Sequence, residues 1–199
     1  MNLDASPNDD SSAAEDVQLM LRVRDGDIDA FESLVVKHQH SVIGTVARMM
    51  GNPSDSEDIA QQVFIRVWKS AVRYEPSAKF TTWLMTITRN LVFNESRRRS
   101  RARVVPLHDD ADDGPTVQYA DPEAGSPADD LLDAELRDAV DTAIAELPEK
   151  HRLAIILRRY ENMAYEEIAK VLKTSVPAVK SILFRARADL KAKLQRYLE

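Results

Sequence analysis

The residues best placed to do chemistry lie near the end of the chain. Lys180, Ser181, Arg185 and Arg187 offer long donors on one side of a helical stretch, and Val176, Val179, Leu183 and Leu190 recur on the other. A short helix from Glu166 to Leu172, a tight turn at Lys173-Thr174 and an N-capping Ser175 precede them, which is the pattern of a helix-turn-helix. That motif buries one side of its second helix and presents donors to phosphates and base edges of a duplex. The same residues also suit a basic amphipathic helix that only closes a small helical domain.

A second constellation interleaves Tyr74, Phe80, Trp83 and Phe93 with Lys79, Arg89, Asn90, Asn94 and the run Arg97, Arg98, Arg99. Flat rings stack unpaired bases and guanidinium groups hold the backbone, which is how single strands are gripped. The alternative is structural: Phe80, Trp83 and Ile87 at helical spacing suit a core, and arginines at a helix C-terminus complement its dipole. A third runs Asp55-Ser56-Glu57-Asp58-Ile59-Ala60-Gln61-Gln62-Val63-Phe64, with Asp55, Asp58 and Gln62 along one side. Acids in a first helical turn also complement the dipole, whereas a polar stripe beside exposed apolar residues could dock a partner helix.

Catalytic residues are not evident, and the reading assigns none. His38 and His40 are two apart and so point in different directions on a helix, and no zinc-protease pair, phosphate loop, dinucleotide fingerprint or nucleophile elbow occurs. The acidic stretch lacks the glycine and ligand spacing of a calcium loop, and no metal or other cofactor is expected.

Helices must carry these groups. Asp27 can cap one with Ile28, Phe31, Leu34, Val35, Val42, Ile43 and Val46 on its buried side, ending at Gly51-Asn52-Pro53. Ser54 with Glu57 makes a capping-box signature for the next, and after Tyr74-Glu75-Pro76-Ser77 another places Phe80, Trp83, Leu84, Ile87 and Leu91 together. Further on, Leu131 to Leu147 reads as one amphipathic helix and Pro148 opens another.

Length and charge set the frame. The 199 residues, 44% hydrophobic and without cysteine, allow two small cores and exclude disulfides, thiol catalysis and cysteine-ligated metal. A reducing, cytoplasmic setting is expected, with no membrane insertion. The net charge of −6 conceals segregation. Arg66 to Arg103 carries ten basic residues against two acids, Pro106 to Glu135 carries ten acids and no base, and Ile168 to Arg196 carries eight bases against Asp189. The acidic stretch, punctuated by Asp113-Gly114-Pro115, Asp121-Pro122 and Gly125-Ser126-Pro127, reads as a linker that cannot offset its ordering entropy. An all-α fold is expected: a disordered tail over 1–15, a helical domain over 16–103, a flexible acidic linker over 104–128 and a helix-turn-helix domain over 129–199.

Taken in order, these segments resemble the extracytoplasmic-function (ECF) branch of the bacterial sigma-70 family. The stretches that carry the resemblance are Arg24-Asp25-Gly26-Asp27 with Ala30-Phe31, Asp55 to Phe64, Phe80-Thr81-Thr82-Trp83-Leu84 with Thr88-Arg89-Asn90, Leu147-Pro148-Glu149, and Tyr165-Glu166-Glu167-Ile168-Ala169 leading to Phe184-Arg185-Ala186-Arg187.

The resemblance implies a dissociable, non-enzymatic promoter-specificity subunit of RNA polymerase, with sigma region 2 first and region 4 second. By similarity, Asp55, Glu57, Asp58, Gln61, Gln62 and Phe64 would dock on the clamp coiled coil of the largest polymerase subunit, with the flap as the second contact. Tyr74, Lys79, Phe80, Trp83, Arg89, Asn90, Asn94, Arg97, Arg98 and Arg99 would hold the opened downstream promoter element, capturing a flipped base. Lys180, Ser181, Phe184, Arg185 and Arg187 would read the upstream element as duplex. The linker would thread a positive path of the polymerase, and an anti-sigma factor would be a further partner. Pro177 stands where many relatives have glycine and Ile182 where many have arginine, so the upstream-element sequence cannot be borrowed from relatives; Gln62 stands where glutamate is frequent, a mild change that would keep the docking face polar. A stand-alone helix-turn-helix regulator is the alternative, and it would need a dimer seam that the sequence does not display.

Overall fold

A computed structural model describes residues 7–51, 56–102 and 127–197. Eight α-helices make up the described chain, with no strand among the described residues: α1 (Pro7–Arg24), α2 (Ile28–Met50), α3 (Ser56–Ser70), α4 (Phe80–Ala102), α5 (Pro127–Ala145), α6 (Glu149–Arg159), α7 (Tyr165–Leu172) and α8 (Val176–Lys193). Short 3-10 turns follow α3 and α8. The Ser54 cap and nearly all of the 104–128 linker lie outside the described residues.

Local chemistry fixes several boundaries. Asp27 Oδ1 accepts the backbone N–H of Ala30 at 3.0 Å, and its other oxygen accepts from Arg22 Nε at 2.9 Å. That N-cap stabilises an otherwise open donor at the start of α2, and Gly26, at φ 94, supplies the left-handed backbone needed to enter it. Gly51 at φ 68 closes α2, its N–H returning to the Ala47 carbonyl. Ser175 Oγ accepts from Ala178 N as the N-cap of α8.

Over residues 7–15 α1 corrects the expectation of a disordered tail across 1–15, because its helix begins at Pro7; residues 1–6 lie outside the described residues. Two tethers explain it. Met20 and Val23 are buried in the core. One turn earlier, the buried Asp16 carboxylate meets Lys37 Nζ at 2.6 Å and His38 Nε2 at 2.9 Å, both on α2. Lys37 also reaches the Glu15 carboxylate at 2.9 Å.

α1, α2, α3 and α4 pack as one lobe around Leu34, Val42, Val46, Val63, Val67, Phe80 and Leu84, while α5 to α8 pack around Leu153, Ile156, Leu157, Ile168, Val179 and Leu183. The lobes do not stand apart as two independently solvated bodies. α2 packs on α5 and α6, α4 packs on α7, and the buried apolar residues form one continuous cluster.

Burial raises the Asp16 pKa, but the hydrogen bonds and charges of His38 and Lys37 outweigh it and leave it below the ordinary 3.8. A carboxyl with a lowered native pKa contributes stability that is complete above its unfolded value and vanishes as pH falls through the native one. Asp16→Ala is therefore expected to lose about 2 kcal/mol at pH 7 by leaving His38 buried without its partner. Urea unfolding should show the gap between variant and natural chain narrowing below about pH 4.

Candidate nucleic-acid and partner interfaces

The helix-turn-helix is built as its sequence implied. α7 ends at Lys173, a non-glycine residue at φ 53, and the Thr174 N–H returns to the Ala169 carbonyl at 2.9 Å to seal the helix end. Glu167 reaches back to the Ala164 N–H at 2.7 Å and satisfies one open donor at the start of α7. α8 then buries Val179, Leu183 and Ala186, and that burial turns Lys180, Ser181, Phe184, Arg185 and Arg187 outward together. Phe184 is 75% exposed, a large ring that no packing within the chain accounts for.

α4 carries the second basic surface, and the structure divides its expected members. Asn90, Asn94, Arg97 and Arg98 are exposed along its outer half, with Arg99 partly covered. Arg98 donates twice to Glu95 at 2.8 Å and Arg99 once at 3.0 Å. The Arg98 hydrogen bonds, and against the opposing effect of burial the Arg99 bond, pull the Glu95 carboxyl down to about 2. It stays ionised in any physiological medium and partly neutralises the arginine run. Arg89 is half-buried, its guanidinium 5.1 Å from the Phe93 ring centroid and bonded to Asn90 Oδ1 at 3.1 Å. Lys79, also half-buried, meets Glu167 of α7 at 3.5 Å.

Tyr74, Phe80 and Phe93 correct the expectation of a stacking platform. They are 2%, 0% and 4% exposed. Tyr74 packs edge-on against Trp83 at 5.1 Å and against Phe80 at 6.5 Å, and Phe80 also lies 5.2 Å from His38. Their rings are spent on the core of the lobe, so of these four aromatic residues the half-buried Trp83 keeps its ring partly open. Burial, and then the nearby Asp16 charge, push the Tyr74 hydroxyl pKa upward, and that hydroxyl has no hydrogen-bond partner.

On α3, Glu57, Asp58, Gln61 and Gln62 are exposed together, continued by Ile65 at 52% and Trp68 at 37%. This is the polar stripe with an apolar margin that a partner helix needs. Phe64 is again a correction, since it is 8% exposed and belongs to the core, one helical step away from the stripe. Asp55 lies outside the described residues.

Among the described residues, no group of His, Asp or Glu is arranged to hold a metal, and no helix is long and apolar enough to cross a membrane. Sequence reading missed Glu95, although its position three and four residues before Arg98 and Arg99 marks it as their partner. It also missed Glu161, whose partners Ser41 and Thr45 lie 120 and 116 residues away and leave no local signal.

Two helical lobes, one with a basic helix beside an exposed acidic stripe and one with a helix-turn-helix, define a class of DNA-binding transcription proteins, and comparison with known proteins gives the family. The family model for Sigma-70 region 2 matches residues 34–102, and that for Sigma-70 region 4 matches residues 137–190. The chain is 34% identical over 188 residues to the RNA polymerase sigma-H factor of Pseudomonas aeruginosa, covering 92% of this chain and 96% of that one. It is 33% identical over 190 residues to the ECF RNA polymerase sigma-E factor of Escherichia coli, covering 93% and 97%. The fold matches CnrH, solved in complex with the cytosolic domain of CnrY, with a TM-score of 0.64 and 24% identity over 92% of this chain and 98% of that one. It also matches the sigma factor RpoE of Bartonella quintana, solved with the anti-sigma factor NepR, with a TM-score of 0.66 and 21% identity over 83% and 96%. The chain belongs to the sigma-70 family, in its ECF branch.

Removing the Glu95 charge beside the arginine run should be measurable. Glu95→Gln is expected to tighten binding of a single-stranded oligonucleotide about threefold and to steepen the dependence of log affinity on log salt by about 0.7 for each phosphate newly engaged. Fluorescence anisotropy from 50 to 300 mM salt, as a rough working range, reads both. An unchanged slope would mean that Arg98 and Arg99 do not reach the backbone.

Proposed function

We propose that this chain is an alternative sigma factor that joins core RNA polymerase and directs promoter recognition, promoter opening and initiation. The observation that carries the reading is α8. Its buried Val179, Leu183 and Ala186 force Lys180, Ser181, Arg185 and Arg187 outward on a helix-turn-helix, in a chain whose first lobe matches sigma region 2. A single reading helix on a chain that also carries an acidic docking stripe fits a subunit better than a stand-alone repressor.

In this reading the exposed Glu57, Asp58, Gln61 and Gln62 stripe docks on the clamp coiled coil of the largest polymerase subunit. The apolar margin at Ile65 and Trp68 supplies desolvated contact beside it. Lys180, Ser181, Arg185 and Arg187 read the upstream element in the major groove, through phosphate contacts that position and base-edge contacts that specify. Phe184 supplies an exposed ring next to them, suited to the polymerase flap or to a base methyl. The α4 surface of Trp83, Arg89, Asn90, Asn94 and Arg97 to Arg99 holds the opened downstream strand. The work is binding rather than covalent chemistry, because sigma selects and stabilises DNA while polymerase supplies the catalytic metal. An anti-sigma factor covering the same stripes is the regulator this branch would use.

Co-purification with sigma-free core polymerase, followed by transcription of a fragmented genomic library, tests the whole reading. Sequence-specific initiation is expected, and specific duplex binding without any association with a cognate core would favour the repressor instead. Within it, Arg185→Ala is expected to weaken upstream-duplex binding about tenfold while sparing polymerase docking. Asp58→Ala should do the reverse. Equal loss of both activities in Arg185→Ala would show that α8 is misassigned.

A further inference from the structure

The outermost edge of α8 differs in chemistry from its flanks. Val179, Leu183, Ala186 and Leu190 fall at i, i+4, i+7 and i+11 and pack inward. Pro177, Ser181, Phe184 and Ala188 repeat the same spacing from a start two residues earlier. Two residues advance just over half of a turn of about 3.6 residues, so the second row lies opposite the first. All four of its members are exposed, Phe184 at 75%. The row that projects furthest therefore consists of a pyrrolidine ring, a hydroxyl, a phenyl ring and a methyl group, and carries no charge.

Cations stand on both sides of it. Lys180, Arg187 and Lys191 form a parallel exposed row on one shoulder, and Arg185 is exposed on the other. Positive shoulders beside a neutral ridge complement a groove with anionic walls and an uncharged floor, which is the major groove of duplex DNA. The first turn of α8 extends the neutral ridge. Ser175 Oγ is engaged on the Ala178 N–H at 3.4 Å, and Pro177 has no N–H to give. From Val176 to Val179 no side chain is polar.

In the major groove the apolar feature of a base edge is the thymine methyl, whereas the other bases present donors and acceptors there. A ring set against those polar groups desolvates them without replacing their hydrogen bonds, and a ring set against a methyl removes apolar surface from water. Resting on the reading of α8 as the helix that enters duplex DNA, we infer that its outer row selects A·T pairs through thymine methyls. One methyl packs on the Pro177 ring and a second on the Phe184 ring, with the Ser181 hydroxyl between them. The two rings are seven residues apart, about 10 Å along the helix, which places the two thymines about three base pairs apart. Lys180, Arg185 and Arg187 set affinity and register, and the neutral row sets which bases are accepted.

The test takes the full chain, with and without sigma-free core polymerase, through successive rounds of selection on a random-sequence duplex library. The recurring duplex is then remade with deoxyuridine in place of thymine at one position at a time, which removes the methyl and keeps every hydrogen-bonding group. Two positions are expected at which this weakens binding about fourfold, the worth of one buried carbon. Pro177→Ser should abolish one penalty and keep the other, and Phe184→Ser the reverse, each variant retaining the helical circular dichroism of the natural chain. Deoxyuridine tolerated at every position, penalties unchanged in both variants, or no recurring duplex in either arm would overturn the inference. Tolerance of deoxyuridine together with loss of core affinity in Phe184→Ser would also overturn it and assign the row to a protein surface. Core association is scored on its own, so a chain that selects a methyl-dependent duplex without binding core would keep the inference and lose the sigma reading.

Discussion

Helix ends leave carbonyls without partners, and the fold meets its severest instance of that constraint with one side chain. The C-terminal ends of α2 and α5 converge beside α6, where water has little access, and the Arg152 guanidinium fills the gap by donating to Met49, Leu147 and Ala145. A planar fork with five donors can serve several carbonyls from one position, which the ammonium of a lysine cannot do with the same geometry. Burial pushes the Arg152 pKa below its ordinary value, yet an arginine remains charged under such a shift, so the clamp holds at any physiological pH. α6 packs on α2 beside this junction, and α7 and α8 pack on α6 in turn.

Charge segregation is the second organising feature. A net-acidic chain presents basic helices because each buries its apolar stripe and turns its cations to one side. Close to those cations the protein sets its own counter-charges: Glu95 for Arg98 and Arg99, and Glu167 for Lys79. Such internal pairing lowers the nonspecific attraction of the free chain for nucleic acid without removing the donors, since an exposed ion pair is worth little and exchanges readily for phosphate.

What could be read from sequence was local. The Asp27 and Ser175 caps, the Lys173-Thr174 turn and the outward face of α8 all follow from rules acting within a few residues, and the structure contains each of them. Helical periodicity also locates α4, but it cannot tell a stacking platform or a docking face from a core, and Tyr74, Phe80, Phe93 and Phe64 are found inside. α1 was missed because its order comes from Asp16 meeting a lysine and a histidine some 22 residues further on, a pairing that composition does not announce. The contacts between lobes are invisible for the same reason: their partners lie far apart along the chain, 120 and 103 residues in two of them.

Lys173 has a consequence beyond its turn. Holding a side chain at φ 53 costs about 1 kcal/mol that glycine would not incur, but it denies the turn the freedom that glycine would bring. Lys173 lies at the C-terminal end of α7, where the helix dipole favours a cation, which offsets part of that cost. The hinge between α7 and α8 is therefore stiff, and the two helices behave as the arms of a single lever. The turn thus fixes the angle between α7 and α8, so the outward face of α8 is held in one orientation relative to α7.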